Sequence, residues 1–499
     1  MSVQTHAPTT TYSTELHPEV TAFLSRDLGH VIDGRSVTDA TGQIDVVDPG
    51  NGRLLCRVPR GDRETVDAAV SAAQKALDGP WSRFSPGQRS RLIWRLADLL
   101  EERAEVFAQL ETLDVGKPLS AARAGDVAGA VESLRYMGGW ATKLTGESIP
   151  VGPPGSVHAY TKHEPIGVVG QIVPWNFPLA MAVWKLAPAL AAGCTCVLKP
   201  AEQTPLTALL LAELALEAGF PPGVINVVVG YGQEVGDAMV RHRGIAKVAF
   251  TGSTAVGKQI VRTAADDLKR VSLELGGKNS AIVMDDADLE AAVTGVLQAS
   301  YGNTGQVCTA PSRILVHHAV IDEFSTAFVR AVEGLRVGHG MNDVDMGPVV
   351  SREQLDSITE ILEGGLRSGG ELLTGGHCPD TPGFYLEPTV VAGLGIDSPM
   401  MQQEIFGPVV NVIPFSATDE AIEMANRTTY GLTSQVWTRD VSAVHRFADG
   451  LDSGSVWVNG KSMDIALPFG GFKESGWGQE KGREGAELYT RLKTVTIVL

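Results

Sequence analysis

The chain has 499 residues, 43% of them hydrophobic and 20% charged, with a formal net charge of -17. That length exceeds what one hydrophobic core usually serves, so two large domains are expected. An acidic total repels nucleic acid and anionic membrane at long range, so neither is an expected partner, and a small-molecule substrate is.

Taken from the N-terminus, Met1 to Pro18 is polar and threonine-rich, without an apolar stretch flanked by basic residues; no secretory leader is read and a cytoplasmic location is expected. Arg89 to Glu111 alternates charge with Leu, Ile and Ala at helical spacing and reads as one amphipathic helix with a solvated charged face. The longest apolar stretch, Phe177 to Leu198, contains Lys185, Pro188 and Gly193, which fits a buried helix followed by a strand rather than a membrane span.

From Ile166 onward apolar runs alternate with helical patterns. The runs are Gly167 to Val173, Thr195 to Leu198, Val224 to Val229 and Lys247 to Thr251, with helices to Ala192, over Ala208 to Ala218 and after Gly257. Continuous apolar runs mark strands buried on both faces, so the fold class is α/β with a parallel, doubly wound sheet. A second series starts at Ser280 to Met284 and continues through Ile314 to Val316, Val409 to Ile413 and Ser455 to Val458, which predicts a second domain. Gly and Pro crowd between Gly364 and Met401, a sign of long connections. The tail, Leu492 to Leu499, is β-rich and needs a strand partner, within the chain or on a neighbouring subunit.

The cysteines are Cys56, Cys194, Cys196, Cys308 and Cys378, an odd number without paired metal-ligand spacing, which fits free thiols in a reducing compartment and no metal. Cys194-Thr195-Cys196 is not CxxC, and its apolar surroundings make it structural. Cys308, in Gly305-Gln306-Val307-Cys308-Thr309, sits among small residues, as does Glu274 in Leu273-Glu274-Leu275-Gly276-Gly277-Lys278. A thiolate is the best nucleophile among ordinary side chains, and a nearby carboxylate can activate the water that frees a bound group. A small buried apolar role is the ordinary alternative for a lone cysteine.

Pro174-Trp175-Asn176-Phe177-Pro178 follows a strand and opens a helix; Asn176 is either a helix cap or an amide donor to a developing oxyanion. Lys199 and Glu202 end another strand, where α/β sheets bind ligands; a carboxylate there accepts from ribose hydroxyls and repels a 2′-phosphate, favouring NAD over NADP. Phe250-Thr251-Gly252-Ser253-Thr254-Ala255-Val256-Gly257-Lys258-Gln259 places a glycine turn where backbone N–H groups attract phosphate. It nearly matches a P-loop, which makes a nucleotide hydrolase the rival reading, but Gln259 stands where a hydroxyl should meet Mg²⁺.

Together with Glu404-Ile405-Phe406-Gly407-Pro408 and Pro468-Phe469-Gly470-Gly471, these seven ordered motifs resemble the aldehyde dehydrogenase superfamily over nearly the whole chain. The resemblance implies a Rossmann-like cofactor domain (1–140 and 163–279), an α/β catalytic domain (280–479) and a small β oligomerisation arm (141–162 and 480–499). Through that arm it favours pairing between subunits as a homodimer or homotetramer. It implies that Cys308 attacks an aldehyde, Asn176 holds the oxyanion, Glu274 activates water and Lys185 supports the site. It places NAD against Ile172, Pro174, Trp175, Lys199, Glu202, Gly232, Gly252, Ser253, Gly276, Glu404 and Phe406, and lines a substrate tunnel with Phe177, Met181, Trp184, Val307, Thr309, Met463 and Phe469. Glu480 matches an acid proposed to relay protons. Relatives that transfer the acyl group to coenzyme A lack the water-activating glutamate, so Glu274 implies hydrolysis. The mostly apolar, aromatic tunnel favours aromatic or aliphatic aldehydes of the phenylacetaldehyde type, with betaine-type or semialdehyde substrates as alternatives.

Overall fold

The computed structural model describes residues 12–153 and 155–499; the polar stretch Met1 to Thr11 and Pro154 lie outside the described residues. Two separate sheets carry the fold. The first has eight strands, in spatial order Arg35–Val37, His30–Ile32, Ile225–Val227, Thr195–Lys199, Val168–Ile172, Lys247–Thr251, Arg270–Glu274 and Gly476–Trp477. Its five central strands are parallel. The first of these in sequence, Val168–Ile172, lies in the middle, with later strands added on both sides, which is the Rossmann-like arrangement.

Local chemistry explains the elements around that strand. Helix Pro178–Ala192 begins on a proline, whose missing N–H costs nothing in a first turn, and ends on Gly193 in the left-handed region (φ 94°). Strands Val168–Ile172 and Thr195–Lys199 are buried at every position, as the unbroken apolar runs predict. Cys194 and Cys196 are wholly buried there, in keeping with a structural role.

The second sheet orders Glu371–Thr374, Thr389–Ala392, Val409–Phe415, Pro311–His317, Asn279–Val283, Thr433–Trp437 and Ser455–Val458, all parallel except the first pair. The Gly/Pro-rich stretch is less open than the sequence implies: helix Arg352–Arg367 enters it, two strands cross it, and its longest irregular run is 375–388. The stretch after Phe469 also departs from a simple division at 479. Gly476–Trp477 pairs with Leu273 and Glu274 on the edge of the first sheet, so the chain returns there before its end.

The expected helix from Arg89 to Glu111 is two helices, Pro86–Glu102 and Ala104–Val115, broken at Arg103. Charge on the second is not solvated: Glu111 and Asp114 are buried. This helix is enclosed by its neighbours, and its acids satisfy backbone donors that two other helix starts leave open. Glu111 Oε2 accepts from the Leu179 N–H (3.3 Å) and Asp114 Oδ2 from the Leu206 N–H (3.0 Å). Periodicity alone could not distinguish a solvated face from one turned to helix termini.

The tail strand Thr490–Val498 pairs antiparallel with Val157–Pro165 in its own chain, in unbroken register from Thr490↔Pro165 to Val498↔Val157, and Ser148–Ile149 completes a three-stranded sheet. The tail's strand partner is therefore internal, against the preference for a neighbouring subunit drawn from the resemblance. The tail strand's other side remains an open edge of that sheet. Ending the chain at Tyr489 should leave the strand Val157–Pro165 without this partner, lowering the thermal midpoint by about 5 °C or more and raising light scattering; a truncated chain that melts with the full-length protein would contradict this.

Candidate active site

The carboxyl end of Val168–Ile172, flanked by Thr195–Lys199 on one side and Lys247–Thr251 on the other, is the switch point of the first sheet, where α/β sheets open a crevice. The chain leaves it through Pro174, Trp175 and Asn176 into helix Pro178–Ala192. Facing it, the loop before strand Pro311–His317 carries Cys308. Three successive residues there take positive φ: Asn303 (49°), Thr304 (59°) and Gly305 (69°). A Cβ on Gly305 would stand 2.2 Å from the Gly407 carbonyl oxygen, so only glycine lets the loop lie down at this point. Such strain persists where surroundings fix it. Thr304 Oγ1 donates to the Gly347 carbonyl (3.1 Å), and Gln306 Oε1 accepts from the Val350 N–H (2.9 Å). Asn279 Nδ2 donates to the carbonyls of Cys308 (2.7 Å) and Ala310 (3.1 Å).

Asn176 links the two halves. Its Nδ2 donates to the Gln306 carbonyl at 2.8 Å, while its own carbonyl accepts from Asn303 Nδ2 at 2.9 Å. A carboxamide has two N–H donors, so the hydrogen bond to Gln306 orients the group and leaves the other proton for a ligand. Glu274 ends strand Arg270–Glu274, buried, and its Oε2 has no protein partner. Burial pushes its carboxyl well above the usual carboxylate range, Glu480 adds to this and Lys185 opposes it. Lys185, fully buried on helix Pro178–Ala192, is ion-paired to Glu480, whose second oxygen is also unpartnered. Burial, then the carboxylates of Glu404 and Glu274, push the Cys308 thiol up to about 12, with Lys461 and the residue's own N–H pulling the other way.

One cavity of about 650 Å³ gathers most of the residues singled out in the sequence. Cys308, Glu274 and Asn176 line it; so do Pro174, Trp175, Gly252, Ser253, Gly276, Glu404 and Phe406, and so do Phe177, Met181, Trp184, Val307, Thr309, Met463 and Phe469. Lys185 is not in its wall and reaches it through Glu480. Ile172, Lys199, Glu202 and Gly232 stand outside that wall, Ile172 and Lys199 closing their strands at the same sheet edge and Lys199 Nζ donating to Glu202 Oε2 at 3.1 Å. Glu404 accepts from the Gly277 N–H (2.9 Å), and a Cβ on Gly276 would meet its Oε2 at 2.2 Å. Burial raises Glu404 to about 7. Phe406, at φ 54°, meets Trp175 edge-on at 5.2 Å.

Sequence reasoning missed Lys461, Lys117, Asp126 and Glu132 in the same wall. Lys117 pairs with Asp126 (2.8 Å) and lies 4.1 Å above the Phe177 ring, a contact between segments that no local pattern announces. Lys461 had one signal, a lone cation just upstream of the Pro468-Phe469-Gly470-Gly471 motif.

The P-loop alternative fails on geometry: Lys258, which should reach phosphate, is held by Glu474 at 2.7 Å on the surface. Among the described residues no three His, Cys, Asp or Glu side chains gather as a metal site, and no helix is long and apolar enough to cross a membrane.

A Rossmann-like sheet whose switch-point crevice faces a clamped thiol and a buried carboxylate describes an oxidoreductase-type site, and comparison with known proteins agrees. Residues 37–495 match the aldehyde dehydrogenase family. The chain is 48% identical to the protein DhaS of Bacillus subtilis over 472 residues, covering 94% of this chain and 95% of that protein. It is 47% identical to a phenylacetaldehyde dehydrogenase of Pseudomonas fluorescens over 463 residues, 91% and 92% of the two chains. The structure of an aldehyde dehydrogenase from Bacillus cereus in its NAD+ complex superposes with a TM-score of 0.96 at 44% identity, covering 98% of this chain and 100% of that one. The chain belongs to the aldehyde dehydrogenase family.

Because the Cys308 thiol is raised, its thiolate fraction is small at neutral pH and grows about tenfold per pH unit below that value. Alkylation of Cys308 by iodoacetamide in the free protein, followed by peptide mapping with the exposed Cys378 as internal reference, should therefore keep rising beyond pH 9. A plateau by pH 8 would contradict the electrostatic account.

Proposed function

We propose that this protein oxidises aldehydes to carboxylic acids with NAD through a cysteine-bound intermediate. The observation that carries the reading is the convergence of Cys308, Asn176 and Glu274 on one cavity at the switch point. The crevice fits the cofactor: Thr251 Oγ1 is buried without a partner beside Gly252, Ser253 opens helix Thr254–Ala264, and nothing stands within 4 Å of a Cβ at Gly232. Ser253 and the helix N-terminus would hold the pyrophosphate, Lys199 and Glu202 the adenosine ribose, and Glu404 the nicotinamide ribose beside Phe406. Ile172, Pro174, Trp175 and Gly276 would complete its walls.

Cys308 gives up its proton to solvent, the thiolate adds to the aldehyde carbon, and the resulting oxyanion accepts from the free Asn176 N–H and the Cys308 backbone N–H. When bound, NAD supplies the acceptor for the hydride that this adduct loses, leaving a thioester. Glu274 then takes a proton from water, and the hydroxide displaces the thiolate to give the acid. Its raised carboxyl is a stronger base than an ordinary one once ionised, and Glu480 with Lys185 offers an onward route for the proton. The mostly aromatic and aliphatic lining, together with the phenylacetaldehyde dehydrogenase relative, favours aromatic or aliphatic aldehydes. The outer strand of the small sheet, with exposed Leu492, Ile497 and Val498, supports a homodimer or homotetramer, and the five free cysteines support a cytoplasmic setting.

The test is NADH formation, read by near-ultraviolet absorbance, with purified protein, NAD or NADP, and aliphatic and aromatic aldehydes; Cys308→Ala should abolish it. Glu274→Gln should still release one burst of NADH while its steady rate falls about a hundredfold, and an unchanged steady rate would remove Glu274 from the reaction. Glu202→Ser should raise the NADP-to-NAD ratio of kcat/KM about tenfold; an unmoved ratio would remove it from the ribose.

A further inference from the structure

The loop between strand Ser455–Val458 and Phe469 places a lysine beside the thiol. Asn459 opens the loop at φ 53° and is pinned there by two hydrogen bonds to Thr438, Oδ1 accepting from its N–H (3.0 Å) and Nδ2 donating to its carbonyl (2.8 Å). Lys461 then lies over the Trp457 ring, 5.5 Å from its centroid, and donates to Thr309 Oγ1 at 3.2 Å, one residue from Cys308. It lines the cavity and remains solvent-accessible. Among the described residues no carboxylate stands within 4 Å of it, and the acidic group that acts on it is the Cys308 thiol.

A second lysine pins the same loop. Lys481 is buried and takes φ 64°, ψ -177°, a region ordinarily left to glycine. That backbone sends its Nζ to the Met463 carbonyl (2.8 Å), 5.1 Å from the Trp184 ring centroid and 5.9 Å from that of Phe469. All three of these residues border the same cavity. The carboxylates of Asp464, Glu132 and Glu480 act on Lys481 against Lys461, and none of them is within ion-pair distance. Lys481 stands behind the cavity wall and anchors the loop at Met463, so the ammonium that an anion in the cavity can reach is that of Lys461, Lys117 being paired with Asp126.

We infer that Lys461 binds the carboxylate of an aldehyde substrate that carries one, so that oxo acids with an apolar body are preferred over their neutral counterparts. This rests on the aldehyde-oxidising reading and deepens it by naming a second group of the substrate. An ammonium or quaternary ammonium substrate meets repulsion at the same place.

The experiment compares 4-carboxybenzaldehyde, its neutral methyl ester and betaine aldehyde, with NAD, on the full-length protein and on Lys461→Gln and Lys461→Arg. The expected result is kcat/KM about tenfold higher for the acid than for the ester, with betaine aldehyde poorest. Lys461→Gln should raise KM for the acid about tenfold and that for the ester far less, Lys461→Arg should keep the preference, and added salt should erode it in the native protein. Equal use of acid and ester, or a Lys461→Gln loss that falls alike on both, overturns the inference while leaving aldehyde oxidation standing. No NADH from any aldehyde overturns the reading beneath it, and the inference with it.

Discussion

The carboxamide of Asn176, belonging to one sheet and bonded to the Gln306 carbonyl of the other, is the contact on which the site depends. Neither sheet alone positions a reacting carbon. The first brings the amide, the crevice and Glu274; the second brings the thiol on a loop that would not hold its three positive-φ residues without outside support. The return bond from Asn303 to the Asn176 carbonyl closes the link in both directions. A hydrogen bond of this kind is worth only about 1 kcal/mol in stability, yet it fixes where the oxyanion donor points relative to the sulfur. The clamp is thus geometric before it is energetic.

Around it the molecule concentrates charge where water is scarce. Glu274, Lys185 and Glu480 form a buried chain, Glu111, Lys117 and Asp126 another on the opposite wall, and Arg313 and Lys278 sit at the base of the second sheet. Desolvation of each ion costs several kcal/mol, so such groups persist only with partners or a task. Glu111 and Asp114 have partners, the open N–H groups of two helix starts. Arg313 has three carbonyls, of Lys278, Met424 and Ala425, tying strands to the helix Thr418–Asn426. Glu274 Oε2 has none, nor have Glu480 Oε2 and Lys278 Nζ, and of these three residues Glu274 and Glu480 line the cavity.

What the sequence made legible follows from where each signal lives. Doubly buried strands such as Val168–Ile172 and Asn279–Val283 announce themselves through unbroken apolar runs, so the two parallel series could be read directly. Asn176, Glu274 and Cys308 were visible because motifs keep small residues around them, and the structure gathers all three in one cavity. Illegible features are contacts between remote segments. The break at Arg103 and the burial of Glu111 depend on helices more than sixty positions away; the two-residue strand Gly476–Trp477 is too short and its Trp too exposed to signal a sheet. The partner of the tail depends on a register that periodicity cannot choose, and Lys461 on a loop conformation set by Asn459.

That tail has a temporal meaning as well. His163 meets Thr490 across 327 positions of sequence, and the edge strand of the first sheet, Gly476–Trp477, arrives about two hundred residues after the strand it completes. On the ribosome, synthesis runs from the N-terminus, so the nascent first sheet waits with one edge open, and the arm strand Val157–Pro165 with it, until the last residues emerge. Closure of both edges therefore comes late, and the period before it is one in which a chaperone or a sister chain can occupy them.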